Sequence, residues 1–176
     1  MLELWSGKLA TGIKNIVPEH PASYAVLKFA IAVVLNVVFI ISLTLLVSLL
    51  THRTGEAVQI LVSFALLRQV SGGAHLKSGI ACVLFTTALF TLLSLVSVSP
   101  ALVLLMNVIS LFIVLWLAPI GIERQTRIPR KHWPKLKIIA AALVAVNMVI
   151  GSPVIAAGFI AQSVSLIAAR KEVNTQ

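Results

Sequence analysis

Long apolar runs separated by short polar stretches dominate this sequence. The runs occupy residues 24–50, 56–70, 78–98, 101–120, 136–150 and 153–170. A helix needs about 20 mostly apolar residues to cross the hydrocarbon core of a bilayer, so the longer runs predict full spans. Residues 56–70 are near the lower limit and predict a short or partly re-entrant helix that its neighbours shield from lipid. We therefore predict an all-α integral membrane protein, a compact bundle of about six membrane-inserted helices that forms a single domain over residues 1–176.

Residues 1–20 follow a different pattern, in which apolar side chains recur at helical spacing. These apolar positions are Leu2, Trp5, Leu9, Ile13 and Ile16. Lys8 and Lys14 lie off that stripe, so the segment predicts an N-terminal amphipathic helix in the membrane interface. The segment lacks the apolar core and the small-residue cleavage site of a signal peptide, so we expect no cleaved signal.

Composition supports a membrane protein and argues against several soluble classes. Hydrophobic residues make up 59% of the chain and charged residues 11%, whereas a soluble domain is nearer half apolar and a quarter charged. The net charge of +9 would suggest nucleic acid in a soluble protein, but here the charges lie in loops beside apolar runs. We therefore expect an anionic lipid membrane as a partner, and no nucleic acid.

The polar loop at residues 121–137 sets the predicted orientation. Its basic residues are Arg124, Arg127, Arg130, Lys131, Lys135 and Lys137, against the single acidic residue Glu123. Positive charge beside membrane spans is retained on the cytoplasmic side, so this loop and both chain termini are predicted to be cytoplasmic. The connections at 99–100 and 151–153 carry no charge and are expected outside.

The segment from Arg68 to Cys82 carries the candidate chemistry. Cys82 is the only cysteine of the chain, His75 precedes it by seven residues, and a Gly72-Gly73 pair precedes His75. A thiol, an imidazole and flexible backbone N–H groups are the components of cysteine nucleophilic catalysis. The single cysteine excludes an intrachain disulfide, and the absence of a CxxC or HExxH pattern leads us to expect no metal and no other cofactor.

Distance decides how His75 and Cys82 could act together. In one straight helix their Cα atoms would stand about 10.5 Å apart, which is too far for proton transfer. We therefore predict a break in the chain between Gly73 and Gly79, with Ser78 as the N-cap of a helix that carries Cys82 in its first turns. There the helix dipole favours a thiolate.

Residues Arg68, Gly72, Gly73 and Ser78 are candidates for oxyanion stabilisation or substrate positioning. Each has a simpler alternative: the glycines as a tight turn, Arg68 as an interfacial cation, Ser78 as a cap only. Cys82 itself could be a small packing residue. The sequence places no Asp or Asn near the motif, so no third catalytic residue is identified.

The arrangement Arg68, Gly72-Gly73-Ala74-His75, six residues, Cys82 resembles the accessory gene regulator B (AgrB) family. Ala118-Pro119 before a basic loop and the 158–163 segment resemble that family more weakly, while Gly121-Ile122-Glu123 departs from its pattern. The family consists of bacterial membrane cysteine peptidases that process the precursor of a quorum-sensing peptide.

The resemblance implies a mechanism and a partner. His75 would take the proton of Cys82, whose thiolate would attack a backbone carbonyl of a short AgrD-like precursor. The acidic C-terminal segment of the precursor would leave, and a precursor cysteine or serine would close a thiolactone or lactone ring. Basic residues of the polar loop would receive the acidic segment: Arg124, Arg127, Arg130 and Lys131. The protein is then expected in the bacterial cytoplasmic membrane. Whether it forms a homodimer there is left open by the sequence.

Two non-enzymatic functions compete with this reading. A small transporter would need ionisable groups at mid-membrane depth, yet the strong polar groups of the spans are only Asn36, Asn107, Asn147 and Gln162. A membrane adaptor with a palmitoylated Cys82 would place its cysteine nearer the membrane surface.

Overall fold

A computed structural model describes residues 2–74, 78–122 and 128–174, and these residues are almost entirely helical. The helices are α1 (Leu2–Ile16), α2 (Tyr24–Thr51), α3 (Thr54–Ser71), α4 (Gly79–Ser94), α5 (Pro100–Leu117), α6 (Trp133–Ile150) and α7 (Pro153–Asn174), with a 3-10 turn at Arg130–His132 before α6. The described residues contain no β-strand, only an isolated bridge between Gly72 and Ile120. The all-α prediction is confirmed.

Four helical stretches are long and apolar enough to cross a membrane. They are Tyr24–Thr51, Pro100–Leu117, Arg130–Ile150 and Pro153–Lys171, and α4 is a shorter apolar helix. Helix α3 has 18 residues, about 27 Å at 1.5 Å per residue, close to the thickness of a hydrocarbon core. Large apolar side chains cover the outer surfaces of these helices, which fits a membrane protein. The figure of about six membrane-inserted helices stays a prediction.

Two helix boundaries differ from the sequence expectation. Helix α4 ends at Ser94, four residues before the expected end, and the N–H of Leu95 bonds back to the carbonyls of Leu92 and Leu93 to close the last turn. Helix α6 begins at Trp133 inside the expected polar loop, since Pro134 suits a first helical turn, where its missing N–H is not needed.

Helix α7 lies at the centre of the bundle, packed against α3 and α5. A buried apolar cluster joins these three helices and α6: Leu67, Val114, Leu117, Ala118, Ala140, Val144, Phe159 and Leu166. Small residues on α7 allow close approach, and a Cβ on Gly158 would lie 3.3 Å from Cδ1 of Ile60. The close packing of α3 on α7 positions the candidate site at one end of this pair.

Helix α1 lies against α2 through its small residues. Ser6 and Ala10 are buried, whereas Trp5 is 62% exposed and Ile16 82% exposed. The apolar stripe therefore faces away from the bundle, as an interfacial helix requires. Its placement in a membrane interface stays a prediction.

A hydrogen-bond network of neutral side chains, buried at Asn107 and Asn147 and exposed at Gln59, ties the other end of the bundle together. Asn147 donates from Nδ2 to Oδ1 of Asn107 and to the carbonyl of Ser152, both at 3.1 Å. Ser152 donates from Oγ to Oε1 of Gln59 at 3.0 Å. We call these four residues the neutral network. It links α3, α5, α6 and α7 without any charged group.

Candidate active site

The chain breaks between α3 and α4, as the distance argument required. Helix α3 ends at Ser71, and α4 begins at Gly79 with Ser78 as its N-cap. The Oγ of Ser78 accepts from the backbone N–H of Ala81 at 3.4 Å. Cys82 is the fourth residue of α4, and its N–H donates to the carbonyl of Ser78 at 2.9 Å. Both the break and the cap are confirmed.

Several predicted site residues lie outside the described residues. His75 is one of them, so its pairing with Cys82 stays a prediction. Arg124 and Arg127 also lie outside. Arg130 and Lys131 are described and exposed, and the Arg130 guanidinium stacks 5.5 Å from the ring of Trp133.

The glycine pair makes a close contact with the segment after α5. Gly72 and Gly73 have φ values of 77° and 133°, which other residues rarely adopt. A Cβ on Gly72 would lie 2.0 Å from the carbonyl oxygen of Ile120, and one on Gly73 would lie 2.6 Å from Oγ of Ser165. The Gly-Gly pair and the residue that follows Ala118-Pro119 therefore meet, although 47 positions separate Gly73 from Ile120.

Backbone hydrogen bonds hold this contact. The N–H of Gly73 donates to the carbonyl of Ile120 at 3.0 Å, and the N–H of Ile120 donates to the backbone carbonyl of Ser71 at 3.1 Å. The N–H of Gly72 donates to the backbone carbonyl of Arg68 at 2.9 Å. Both glycine N–H groups therefore already form hydrogen bonds within the protein. An oxyanion role for these N–H groups stays a prediction, and it would require the two hydrogen bonds to break.

Arg68 is directed into the bundle. Its Nη1 donates to Oε1 of Gln162 at 3.3 Å and to Oγ of Ser165 at 3.1 Å, and its Nη2 donates to the carbonyl of Ala74. This geometry differs from that of an interfacial cation reaching towards water. The planar guanidinium fork joins α3, α7 and the chain immediately before His75 in one contact.

Gln162 on α7 completes the arrangement from the other side. It is fully buried, and its Nε2 donates to Oγ of Ser71 at 2.9 Å and to the carbonyl of Gly72 at 2.6 Å. Ser165, one turn later, accepts at Oγ from the N–H of Ala74 at 3.2 Å. We call Arg68, Gln162, Ser165 and the loop 71–74 the Arg68 network. It fixes the conformation of the chain up to Ala74.

No carboxylate of the described residues forms an ion pair with Arg68. Among the described residues the ion pair is Arg53 with Glu56, at 2.8 Å, and it lies at the opposite end of α3. Arg68 lies within electrostatic range of the Cys82 sulfur. The Arg68 side chain is half-buried, and a partly desolvated cation without a carboxylate favours a developing oxyanion beside it.

Sequence reasoning missed Gln162 and Ser165 as site residues, and it also missed Asn36. Gln162 and Asn36 were noted as polar groups in apolar runs, which is the only local signal they carry. The Asn36 carboxamide on α2 lies beside Gly79, with Nδ2 and Oδ1 at 3.6 Å and 3.7 Å from the position of a Cβ on that glycine.

Comparison with known proteins gives two matches over most of the chain. The family described as "Accessory gene regulator B" matches residues 6–168. A protein of Halalkalibacterium halodurans, named "Putative AgrB-like protein", is 29% identical over 150 residues, which cover 85% of this chain and 76% of that protein. No solved structure matches. The family match extends from α1 into α7, so it includes Arg68 and the 71–74 loop as well as Gln162 and Ser165 on α7.

Proposed function

Since this chain belongs to the accessory gene regulator B family, we propose that it is a membrane-embedded cysteine endopeptidase that cleaves a short AgrD-like precursor peptide. Family membership fits autoinducing-peptide processing in general. The finer proposal, a peptidase that uses Cys82 and His75 and forms a thioester, is supported by the local geometry of the 68–82 segment.

The position of Cys82 is the observation that carries the proposal. Its side chain belongs to the first turn of α4, where helix N–H groups and the dipole favour an anion. Cys82 is partly exposed rather than fully buried, so a substrate has access to it. A cysteine that served only for packing would need none of these features.

In the proposed reaction His75 takes the proton from Cys82. The thiolate sulfur then bonds to the carbonyl carbon of the scissile peptide, whose electron pair moves to the oxygen. The tetrahedral intermediate collapses, the C–N bond breaks, and the amine of the departing C-terminal segment takes the proton from imidazolium. A cysteine thiol or serine hydroxyl of the precursor attacks the thioester, closes a thiolactone or lactone ring and releases Cys82. A site that excludes water disfavours hydrolysis of the thioester.

Arg68, Gly72, Gly73 and Ser78 act in this proposal chiefly by positioning. The glycines let the 71–74 loop approach Ile120, Arg68 fixes Ala74, and Ser78 starts α4. The charge of Arg68 also stabilises the developing oxyanion. The basic residues Arg124, Arg127, Arg130 and Lys131 receive the acidic C-terminal segment of the precursor.

The proposal includes an orientation, with α2 to α7 inserted in the bacterial cytoplasmic membrane and both termini inside. The basic loop supports this orientation by the positive-inside rule. Single cysteines at Gln125 and Ser99 in a Cys82→Ser background test it. An impermeant maleimide added to intact cells should label position 99 and leave position 125 unlabelled, and the reverse pattern would refute the orientation.

Co-expression tests the chemistry. This chain is expressed with a short AgrD-like precursor encoded beside its gene, and cleavage is followed by mass spectrometry. Cys82→Ala and His75→Ala should abolish cleavage at unchanged membrane abundance, while the control Ser97→Ala, an exposed position on another connection, should cleave normally. Parental cleavage by Cys82→Ala would eliminate the peptidase assignment.

A further inference from the structure

An open groove of about 540 Å³ lies between α1 and the start of α2. Ligand sites in proteins commonly have volumes of about 300–1,000 Å³, so a small headgroup fits this space. The lining combines charged side chains of both helices, Glu3 and Lys8 on α1 and Lys28 on α2, with the apolar side chain of Leu4. None of the residues proposed for cleavage lines the groove, so the proposed reaction does not explain it.

A glycine and a tyrosine shape the wall of the groove. A Cβ on Gly7 would lie 3.1 Å from the hydroxyl oxygen of Tyr24, so the absence of a side chain there gives the hydroxyl its place against α1. Among the described residues this hydroxyl forms no hydrogen bond. A tyrosine hydroxyl normally finds a partner, and this one is available to donate to a molecule in the groove.

The three lysines of α1 and the first turns of α2 make different contacts. The Nζ of Lys14 donates to the carbonyl of His20 at 2.7 Å, and Nδ1 of His20 accepts from the N–H of Ala22 at 3.1 Å. Lys14 therefore fixes the connection between the two helices. Lys8 and Lys28 differ, because among the described residues neither side chain forms a hydrogen bond or an ion pair. Both line the groove without a protein partner for their charge.

The position expected of α1 in the bilayer indicates which molecule balances this charge. Trp5 and Ile16 are 62% and 82% exposed on a face of α1 that does not line the groove. In an interfacial helix such side chains enter the acyl boundary, which sets the groove at the level of the lipid phosphates. Glu3 forms an ion pair with neither lysine among the described residues, so two cations and one carboxylate face the groove and favour an anion. Anionic lipid is concentrated in this layer of the cytoplasmic leaflet.

We propose that this groove binds the headgroup of an anionic phospholipid, with the phosphate between the ammonium groups of Lys8 and Lys28. Lysine binds phosphate as a point charge, and the Tyr24 hydroxyl donates to the same phosphate. The side chain of Leu4 is 68% exposed and continues the contact towards the acyl chains. The bound lipid joins α1 to α2.

The groove also bears on the position of the cysteine site. A Cβ on Gly79, at the start of α4, would lie 3.4 Å from Cδ1 of Leu2, so the first turn of α1 packs against the first turn of α4. A lipid that holds α1 on α2 therefore also holds Leu2 on the helix that carries Cys82. Lipid binding itself does not depend on the proposed peptidase function, so it is measured without any precursor.

Native mass spectrometry of the full chain in neutral detergent measures binding of dioleoyl phosphatidylglycerol and, for comparison, of dioleoyl phosphatidylcholine. The parental chain should retain one phosphatidylglycerol about 10-fold or more tightly than phosphatidylcholine. Lys8→Gln combined with Lys28→Gln should weaken phosphatidylglycerol binding roughly 10- to 30-fold, because each lysine near a lipid surface contributes about fivefold. Tyr24→Phe keeps the ring and both charges and should weaken binding about 2- to 10-fold.

Lys135→Gln combined with Lys137→Gln is the matched control. It removes the same two charges from the start of α6, where one lysine is exposed and the other half-buried, as at positions 8 and 28. Phosphatidylglycerol binding by this variant should stay parental. An equal loss in the two double variants would indicate diffuse attraction to the total charge and would overturn the site. Parental binding by a groove variant, either the double variant or Tyr24→Phe, would overturn it as well. Size-exclusion chromatography first shows that each variant is folded.

Two soluble competitors distinguish a lipid from other anions. Glycerol 3-phosphate carries the headgroup chemistry without acyl chains, and hexaglutamate represents an acidic peptide segment. At the same concentration as the lipid, neither should displace phosphatidylglycerol from the parental chain. Displacement by glycerol 3-phosphate would assign the groove to a soluble phosphate, and displacement by hexaglutamate would assign it to a peptide. Either result would overturn the proposal.

Discussion

The two ends of the helix bundle both contain buried amide side chains, yet they use them differently. In the neutral network, Asn147 bonds Asn107 and Ser152, and no charged group takes part. In the Arg68 network, Gln162 donates to the carbonyl of Gly72 and accepts from the half-buried guanidinium of Arg68. The first arrangement joins helices. The second also fixes the loop that leads to the proposed catalytic histidine and keeps a cation near a thiol.

The two arginines of α3 show the same contrast. Arg53, the N-cap of α3, is exposed and paired with Glu56, and water screens such a surface pair strongly. Arg68 points inward and bonds neutral acceptors only, as far as the described residues show. A cation that is partly removed from water without a carboxylate partner is costly to stability, and such a cost is usually retained where the charge has a function. The comparison therefore predicts that precursor cleavage depends on the end of the bundle that holds the Arg68 network. Folding stability should depend on both ends.

The largest effect is expected from Gly72→Ala. The new Cβ would lie 2.0 Å from the carbonyl of Ile120 at a φ that alanine disfavours, so the 71–74 loop must move. We expect cleavage to be lost by roughly 100-fold or more, as misplacement near a reaction site implies. Gly55→Ala on the same helix meets no atom within 4 Å and should be neutral or slightly stabilising. Thermal unfolding in detergent and precursor cleavage measure both, and parental cleavage by Gly72→Ala would contradict the docking role of the loop.

Arg68→Lys should have the next largest effect. Lysine keeps the charge but cannot hold Gln162, Ser165 and Ala74 together, because it lacks the planar fork. Cleavage should fall about 10-fold or more. Arg53→Lys at the other end of α3 should leave cleavage unchanged. Equal activity in the two variants would remove the distinction between the arginines.

Paired replacements of the two amides measure the contrast between networks. Gln162→Leu should lower both cleavage and stability, because it removes the donor to Ser71 and Gly72 and one of the acceptors of Arg68. Asn147→Leu should lower stability by about 1–2 kcal/mol and leave cleavage per folded molecule intact. Folded protein is quantified by size-exclusion chromatography before each assay. A loss of specific activity in Asn147→Leu would mean that the neutral network also supports catalysis.

The smallest effect is expected from the caps. Ser78→Ala removes a cap bond to the N–H of Ala81 and should cost about 1 kcal/mol, with a modest loss of cleavage as the first turn of α4 frays. Ser99 caps α5 without a side-chain hydrogen bond, so Ser99→Ala should cost less. A comparison of their melting temperatures checks the difference. The same melting temperature in both variants would show that the Ser78 cap contributes nothing.

Local pattern in the sequence determined much of this protein. The apolar runs predicted α2 to α7, because a chain in lipid must satisfy its backbone hydrogen bonds within each segment, and amphipathic spacing predicted α1. The break before Cys82 and the cap at Ser78 followed from a distance limit and a capping preference, both of which operate over a few residues. The segment 68–82 could therefore be identified as the candidate site from its own residue types.

Only the tertiary structure decided which distant groups surround that segment. Ile120 meets Gly72, Gln162 and Ser165 meet Arg68, and Asn36 meets Gly79, across separations of up to 97 residues. Nothing local distinguishes Gln162 or Asn36 from a polar residue that only joins helices, as Asn147 does. The choice of neighbours depends on how small residues let helices approach, and that is a property of paired surfaces rather than of any single run. The sequence therefore determined the helices and the reactive segment, and packing determined the partners that position it.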